Sequence, residues 1–520
     1  NETISTLSSI TNSFTNYNTN IMQQNNPSNQ NNLDQQFEIL LNDLKSRMHN
    51  VLHERDSADR LGISRGWPPF VLREIMTSNP FSAVTPVELG GLGGDIAQSI
   101  ALMSAASYES LALSLTFGIN MALFLQPTLK YGQAGIKKEV AKRFVNNQNM
   151  GGLMITEPDF GSDALSMRTY NTKVDNGYHI NGTKHWAGLT GWADFWLLTS
   201  RAQTANGTLA RDIDFFVADM SKSEQQIVVE ERFENLGLYQ IPYGRNRLDL
   251  VVPEENKLIP QSTGIKMMLD LLHRSRMSFP GMAMGFIKRM LDEALAHTQQ
   301  RVVSGKRLFD YDQIDERIAR IQNSYTVVSA MCHNSSQMAH LANDLSGIGI
   351  EANAVKSLAT DYMQESAQTL IQLVGAKGFR HNHIAGRAIV DSRPFQIFEG
   401  SNDMLYTQTA EQVIKLMKGA KEPNLFKFLS TYPSTKIGVA EFYAELNFDL
   451  DYNIPQRKLV DLGRIIAHVI MSQMIINLEA KGYNKTLASN ALDMLKLDSQ
   501  RLLVPLNSSL RKNVVVDYQE

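Results

Sequence analysis

The segment PFQIFEGSNDMLY, residues 394–406, sets one carboxylate, Glu399, between the apolar pair Ile397 and Phe398 and the flexible Gly400. An unpaired carboxylate in apolar surroundings either takes up a proton or has its pKa raised, and a raised pKa makes it a competent base near neutral pH. The same residues also suit an exposed cap at the end of an apolar strand. Four other stretches carry residue types suited to binding. MITEPDFGSDALS, residues 154–166, gathers Thr156, Gly161, Ser162 and Asp163. Its hydroxyls and backbone N–H groups could hold a phosphate or a polar ring edge, or form an ordinary turn. NGTKHWAGLTGW, residues 181–192, places Trp186 and Trp192 around Gly188 and Gly191, which fits packing against a flat heterocycle or a hairpin with core tryptophans. TQQRVVSGKRLFDYDQ, residues 298–313, offers Arg301, Lys306 and Arg307, either a pyrophosphate site or a solvated basic face. QLVGAKGFRHNHIAGRAIVDSR, residues 372–393, joins Gln372 to Gly375 and Gly378, where a backbone approaches a ligand or a helix ends.

Three other motifs are set aside. GIGIEA, residues 347–352, matches a dinucleotide glycine pattern but follows a helical stretch rather than a strand. His381 and His383 lack the further ligands of a metal site, so no metal is expected. ELGGLGGD, residues 88–95, reads as a flexible turn.

The elements that must position these residues alternate in texture. Residues 1–36 are rich in Asn, Gln, Ser and Thr and read as a disordered polar tail. Residues 37–150 are helical in pattern, and the apolar run 111–129 is interrupted by Asn120, Gln126 and Pro127, as a core helix rather than a membrane span would be. Between 151 and 260, short β-branched and aromatic runs separated by Asn-Gly, Gly and Asp predict a small antiparallel β unit, with two Asn-Gly turns in DNGYHINGTKHW. Helical spacing returns over 261–420, where Val355, Leu358, Tyr362 and Leu370 share one face. Residues 421–520 add a helical module whose main helix starts after Pro455 and stops by Gly482. The fold class is therefore mostly α with a central β domain.

Composition narrows the function. The 520 residues exceed the size at which a single core usually keeps growing, and 50 basic against 53 acidic side chains disfavour a nucleic-acid partner. One cysteine, Cys332, excludes an internal disulfide framework and suits a reducing compartment such as the cytoplasm, the expected location.

Taken in order, ELGGLGGD, MITEPDFGSD, NGTKHW, VVPEENKLI, RSRMSFPGMAMGFIKRMLDEAL, QQRVVSGKRL, QLVGAKGF and QIFEGSNDM make residues 37–417 resemble the acyl-CoA dehydrogenase family. The resemblance implies an N-terminal helical domain, a central antiparallel β barrel or sandwich, and a C-terminal four-helix bundle, with FAD between the last two. It implies a homodimer or homotetramer. Glu399 would be the catalytic base, taking the α-proton of an acyl thioester while the β-hydride passes to flavin N5 and a trans-2-enoyl thioester forms. Thr156 would bond the flavin edge, Ser162 would face the FAD pyrophosphate or the thioester arm, and Trp186 would pack beside the isoalloxazine. Arg301 and Gln372, with Gly375 and Gly378, would hold the adenine half of a partner's FAD. Ser401 and Asp403 would lie near the FAD phosphates, with Arg276 and Gly400 at the substrate. The carrier implied is CoA or an acyl carrier protein, and the electron acceptor an electron-transfer flavoprotein. An oxygen-using oxidase or a non-catalytic flavoprotein scaffold would share these features. Four positions depart from the pattern: Gly188 replaces the usual Thr, Ser304 an aromatic, His273 a carboxylate and Ala376 a glycine.

Overall fold

In a computed structural model the described residues are 27–509 and 514–515, with side chains described from residue 32 onward. The first helix among the described residues, α1, spans Pro27–His49, so it begins inside the stretch expected to be a polar tail. Its C-terminal part buries Phe37, Leu41, Leu44 and Met48, and this apolar stripe anchors the polar turns before it. The rest of the expected tail, residues 1–26, lies outside the described residues. Two further N-terminal helical elements matter here: α2, Ile96–Glu109, and the apolar run α3, Leu111–Tyr131. Although α3 is long and apolar enough to cross a membrane, 94% of its apolar window is buried inside the fold.

The glycine-rich ELGGLGGD turn is rigid rather than flexible. Leu92, Gly93 and Gly94 donate backbone bonds of 2.8 Å to Ser82, Thr85 and Ala83, and a Cβ at Gly91 would sit 2.1 Å from the Thr85 carbonyl oxygen. Only glycine permits that approach.

The β unit is a seven-stranded curled sheet: β1 Gly151–Met154, β2 Tyr170–Val174, β3 Gly177–His185, β4 Phe195–Ala202, β5 Asp214–Asp219, β6 Val228–Arg232 and β7 Gly244–Val252. Their order is β1-β4-β2-β3-β7-β6, with β5 also paired to β4. The sheet is mixed, because β4 runs parallel to both β1 and β2, which corrects the antiparallel expectation. Parallel neighbours need a crossover rather than a tight turn. Between the parallel neighbours β2 and β4 the return is made by β3 itself, antiparallel to β2, followed by the excursion over residues 186–194 that carries Trp186. Of the two Asn-Gly pairs, only Asn176-Gly177 turns a hairpin, joining β2 to β3. Asn181 and Gly182 sit within β3, opposite Asp249 and Leu248 of β7; a Cβ on Gly182 would lie 2.3 Å from the Thr169 hydroxyl.

Four helices form the bundle: α4 Gly264–Gln300, α5 Asp312–Met338, α6 Gly349–Val374 and α7 Asn402–Ala420. Val355, Leu358, Tyr362 and Leu370 of α6 are all buried. Helix α6 is enclosed on more than that face, since Asn353, Lys356, Ser357 and Thr360 are buried as well. Those polar residues meet Arg276 of α4 and the residues Gly400 and Asn402 that lead into α7. Two helices of the added module pack on the bundle as well. Helix α8, Gln456–Ala480, lies against α5, α6 and α7, and α9, Lys485–Asn507, lies against α5 and α8. Helix α8 is also apolar enough to span a membrane, yet 72% of its apolar window is buried against the bundle.

Candidate active site

Glu399 is not the cap of a strand. It lies in the loop between a 3₁₀ turn, Arg393–Gln396, and α7. The loop departs from ordinary backbone: Glu399 has φ 54° and Gly400 φ 96°. A non-glycine residue in the left-handed region is uncommon and persists only where its surroundings hold it. Here Arg276 holds it, donating to the Glu399 carbonyl oxygen from Nε at 3.1 Å and from Nη2 at 2.9 Å. The third arm of Arg276, Nη1, donates to Asn353 Oδ1 at 2.8 Å. Lys356 Nζ fixes the next residue, donating to the Gly400 carbonyl at 2.8 Å and to Asn402 Oδ1 at 2.9 Å.

The carboxylate itself is unevenly served. Ser275 Oγ donates to Oε1 at 2.8 Å, whereas Oε2 is buried with no hydrogen-bond partner. Solvent reaches parts of the residue, which is half-buried as a whole, but not that oxygen. Phe279, Phe395 and Phe398 cluster beside the loop, with ring centroids 4.8 to 6.1 Å apart. Burial raises the Glu399 pKa, and the positive charges of Arg276 and Lys356 and the Ser275 hydrogen bond offset only part of that rise. The Lys356 ammonium is fully buried too, and burial pushes its pKa down to about 7 against the opposing pull of Glu399. An unsatisfied, desolvated carboxylate oxygen with a raised pKa can accept a proton.

Only part of the expected set meets here. Glu399, Gly400 and Arg276 are in one cluster, with Ser401 at the start of α7 and Asp403 exposed in its first turn. Thr156 and Trp186 lie side by side at the edge of the sheet, where the His185 N–H donates to the Thr156 carbonyl at 2.8 Å. Trp186 is 54% exposed, sits at φ 55° and rests on Phe233, with ring centroids 4.5 Å apart. Ser162 is exposed in its loop. Arg301, Gln372, Gly375 and Gly378 gather elsewhere. Helices α4 and α6 run in the same direction, joined by Arg276 with Asn353 near one end and by His297 with the Leu373 backbone near the other. Arg301 is therefore about 37 Å of helix from Arg276, and Gln372 about 24 Å from Lys356. Arg301 and Gln372 are exposed at that far end, and Gly375, at φ 72°, has open space around it.

Departures from the pattern have local causes. A Cβ at Gly188 would lie 2.7 Å from Ile119 Cδ1 and 3.4 Å from Tyr243 Cε1, so the space a Thr would take is filled. His273 is buried and pairs through Nδ1 with the Leu345 carbonyl at 2.7 Å, which makes it part of the packing between α4 and the turn before α6. His381 meets the Tyr239 hydroxyl at 3.1 Å, and His383 caps the helix that follows it.

Several participants were not singled out by the sequence. Ser275 and Asn402 lie inside quoted motifs without marking themselves there, and Asn353 and Lys356 are single polar residues in a helical stretch outside every motif. Glu157 and Lys184, each inside a quoted motif, form a fully enclosed ion pair of 3.0 Å that ties the 154–166 loop to β3. Two clefts, one of about 380 Å³, share Leu52, Ala58, Arg289 and Ile384 in their walls and do not include Glu399.

Fold and site define a class: helical, β and helical layers in that order, with a desolvated carboxylate presented by a loop of the bundle. Comparison with known proteins makes the class specific. Residues 152–251 match the acyl-CoA dehydrogenase middle domain and residues 262–414 the acyl-CoA dehydrogenase C-terminal domain. The very long-chain specific acyl-CoA dehydrogenase of Mus musculus mitochondria is 27% identical over 331 residues, 62% of this chain and 50% of that protein. The chain thus spans about half the length of such curated relatives. An acyl-CoA dehydrogenase of Bacillus subtilis is 27% identical over 65% of this chain and 87% of its own length. Among solved structures, acyl-CoA dehydrogenase complexed with FAD from Bacillus anthracis superposes with a TM-score of 0.72 at 17% identity, covering 91% of this chain and 88% of that one. Butyryl-CoA dehydrogenase from Megasphaera elsdenii gives 0.65 at 20% identity, covering 73% and 98%. The chain carries the middle and C-terminal domains of the acyl-CoA dehydrogenase family.

Proposed function

We propose that this protein is an FAD-dependent dehydrogenase that converts an acyl thioester to its trans-2-enoyl thioester, with Glu399 as the base. One observation carries the reading: in the loop that matches the family's QIFEGSNDM pattern, Glu399 Oε2 is buried and unpartnered. Ser275 holds Oε1 in place, which leaves Oε2 as the atom that takes the α-proton. The two Arg276 bonds to the Glu399 carbonyl fix the left-handed turn and with it the side chain's direction. Burial keeps water from levelling the basicity of that oxygen.

The residues present suit a bound flavin. Trp186 offers an exposed aromatic face beside Thr156, and the open backbone at Gly375 next to exposed Gln372 admits close approach by a large ligand. Thr156, Ser162, Trp186, Ser401 and Asp403 would hold FAD within one chain, while Arg301, Gln372, Gly375 and Gly378 would reach the adenine half of FAD in a second copy. FAD, once bound, supplies the acceptor for the β-hydride. The substrate class is acyl-CoA or acyl carrier protein thioesters, and the final acceptor is an electron-transfer flavoprotein. Stoichiometric peroxide without added acceptor would instead assign an oxidase.

Glu399→Gln tests the reading. The variant should keep its flavin and lose turnover by about 10²- to 10⁴-fold, the range a positioned base contributes. Wild-type turnover in that variant would refute Glu399 as the base.

A further inference from the structure

We propose that Arg464, contributed by the added C-terminal module, is a positioning residue for the Glu399 loop and acts through Asp361. The inference rests on the reading of Glu399 as the base. Asp361, on α6, accepts hydrogen bonds from both sides of Glu399 in sequence. Its Oδ1 accepts from Gln396 Nε2 at 2.7 Å and Asn402 Nδ2 at 2.8 Å, and its Oδ2 accepts from the Tyr406 hydroxyl at 2.7 Å. Asn402 in turn receives the Lys356 ammonium, which also holds the Gly400 carbonyl. One carboxylate therefore clamps the loop before and after the base.

The cation facing Asp361 comes from α8. Arg464 Nη2 lies 3.7 Å from Asp361 Oδ2, and its guanidinium stands 5.0 Å from the centre of the Tyr406 ring. The residue before it sets the register. A Cβ at Gly463 would lie 1.9 Å from the Tyr406 carbonyl oxygen, so the backbones of α7 and α8 touch at this point and only glycine fits. Asp403 and Asp461 also lie in the field of Arg464, but neither bonds the loop. The Asp361 carboxylate accepts from all three donors at once. Arg464 sets its guanidinium beside Oδ2 and against the Tyr406 ring, so the module supplies the cation that braces the clamp.

The bundle and module share a second clamp that serves as a control. Arg320 on α5 bonds Glu365 of α6 and Asp498 of α9, and neither partner contacts the Glu399 loop. The test compares full-length Arg464→Met, Arg464→Lys, Tyr406→Phe and Arg320→Met by hydrogen exchange of the peptide spanning residues 394–406, together with kcat, KM and flavin content. Arg464→Met should speed exchange in that peptide and lower kcat roughly tenfold with KM and flavin unchanged. Arg464→Lys should recover most of both, and Tyr406→Phe should move both in the same direction by less. Arg320→Met should lower the melting temperature and leave the peptide and kcat alone. Unchanged exchange in Arg464→Met, or an equal change in Arg320→Met, would overturn the proposal. If Arg464→Met does not fold, Tyr406→Phe decides: unchanged exchange at 394–406 rejects the clamp. A wild-type protein that oxidises no acyl thioester would sink the function, and exchange would still judge the clamp.

Discussion

Two buried carboxylates in this molecule have opposite fates. Glu157 is fully served: Oε1 accepts from Lys184 Nζ and the Thr169 N–H, both at 3.0 Å, and Oε2 from the Arg168 N–H at 2.6 Å. Burial alone would raise its pKa, but Lys184 and those bonds outweigh burial and hold it below the usual carboxylate range. Glu399 has two cations nearby as well, yet Arg276 and Lys356 bond backbone carbonyls rather than its carboxylate. One serine serves Oε1, nothing serves Oε2, and the pKa goes up. The difference lies in where the donors point. A carboxylate that finishes its hydrogen bonds inside the protein stabilises the fold, and one left unfinished has the free oxygen that the proposed base requires.

The largest expected effect separates the two by exchanging their phenotypes. Glu399→Gln should lose activity while melting no lower than wild type at neutral pH. Glu157→Gln should lose about 3–5 kcal/mol of stability, because it strands the Lys184 ammonium in a dry site. Denaturant midpoints and turnover of the two variants settle this, and a Glu399→Gln that melts well below wild type would erase the contrast.

A second step sharpens the claim about Glu157. Glu157→Gln with Lys184→Met removes both charges, so it should recover a good part of the stability that the single change loses. A double variant no more stable than the single one would mean that Lys184 is not the stranded charge.

Much of this arrangement was legible in the sequence, and the illegible part has a physical pattern. Glu399 stood out because a charge between Phe398 and Gly400 is anomalous in any fold. The strands over 195–202, 214–219 and 244–252 were readable from their apolar and aromatic runs. Lys356, Asp361 and Asn353 were not, because a polar residue on an amphipathic helix reads as solvated. Asn353 and Lys356 are buried where α6 meets Arg276 and the loop before α7, and Asp361 is half-buried where α8 brings Arg464 against it. The direction of β4 was hidden for a related reason, since strand texture does not record whether a connection turns or crosses over. Gly182 shows the same limit, as an Asn-Gly signal that close contact with Thr169 placed inside a strand.

A smaller effect concerns pH. A group whose folded pKa is raised contributes stability that is fully present below its unfolded pKa, near 4.5 for Glu399, and lost as pH rises through the folded value. Any stability advantage of Glu399→Gln should therefore appear above the folded pKa and vanish below about pH 4.5. Thermal melts across pH read this directly, and an advantage that grew towards low pH would contradict the raised pKa. The smallest effect is that of Ser275→Ala. Losing the one bond to Oε1 should move the acid limb of kcat/KM upward by about one pH unit.

The most direct test of Glu399 as the base is anaerobic titration of the purified, flavin-bearing protein with acyl-CoAs of increasing length, alongside Glu399→Gln. Bleaching of the visible flavin band in wild type at a preferred length, with none in the variant, is the predicted result. Equal bleaching of both proteins would contradict it, and so would a bound flavin that no acyl thioester reduces.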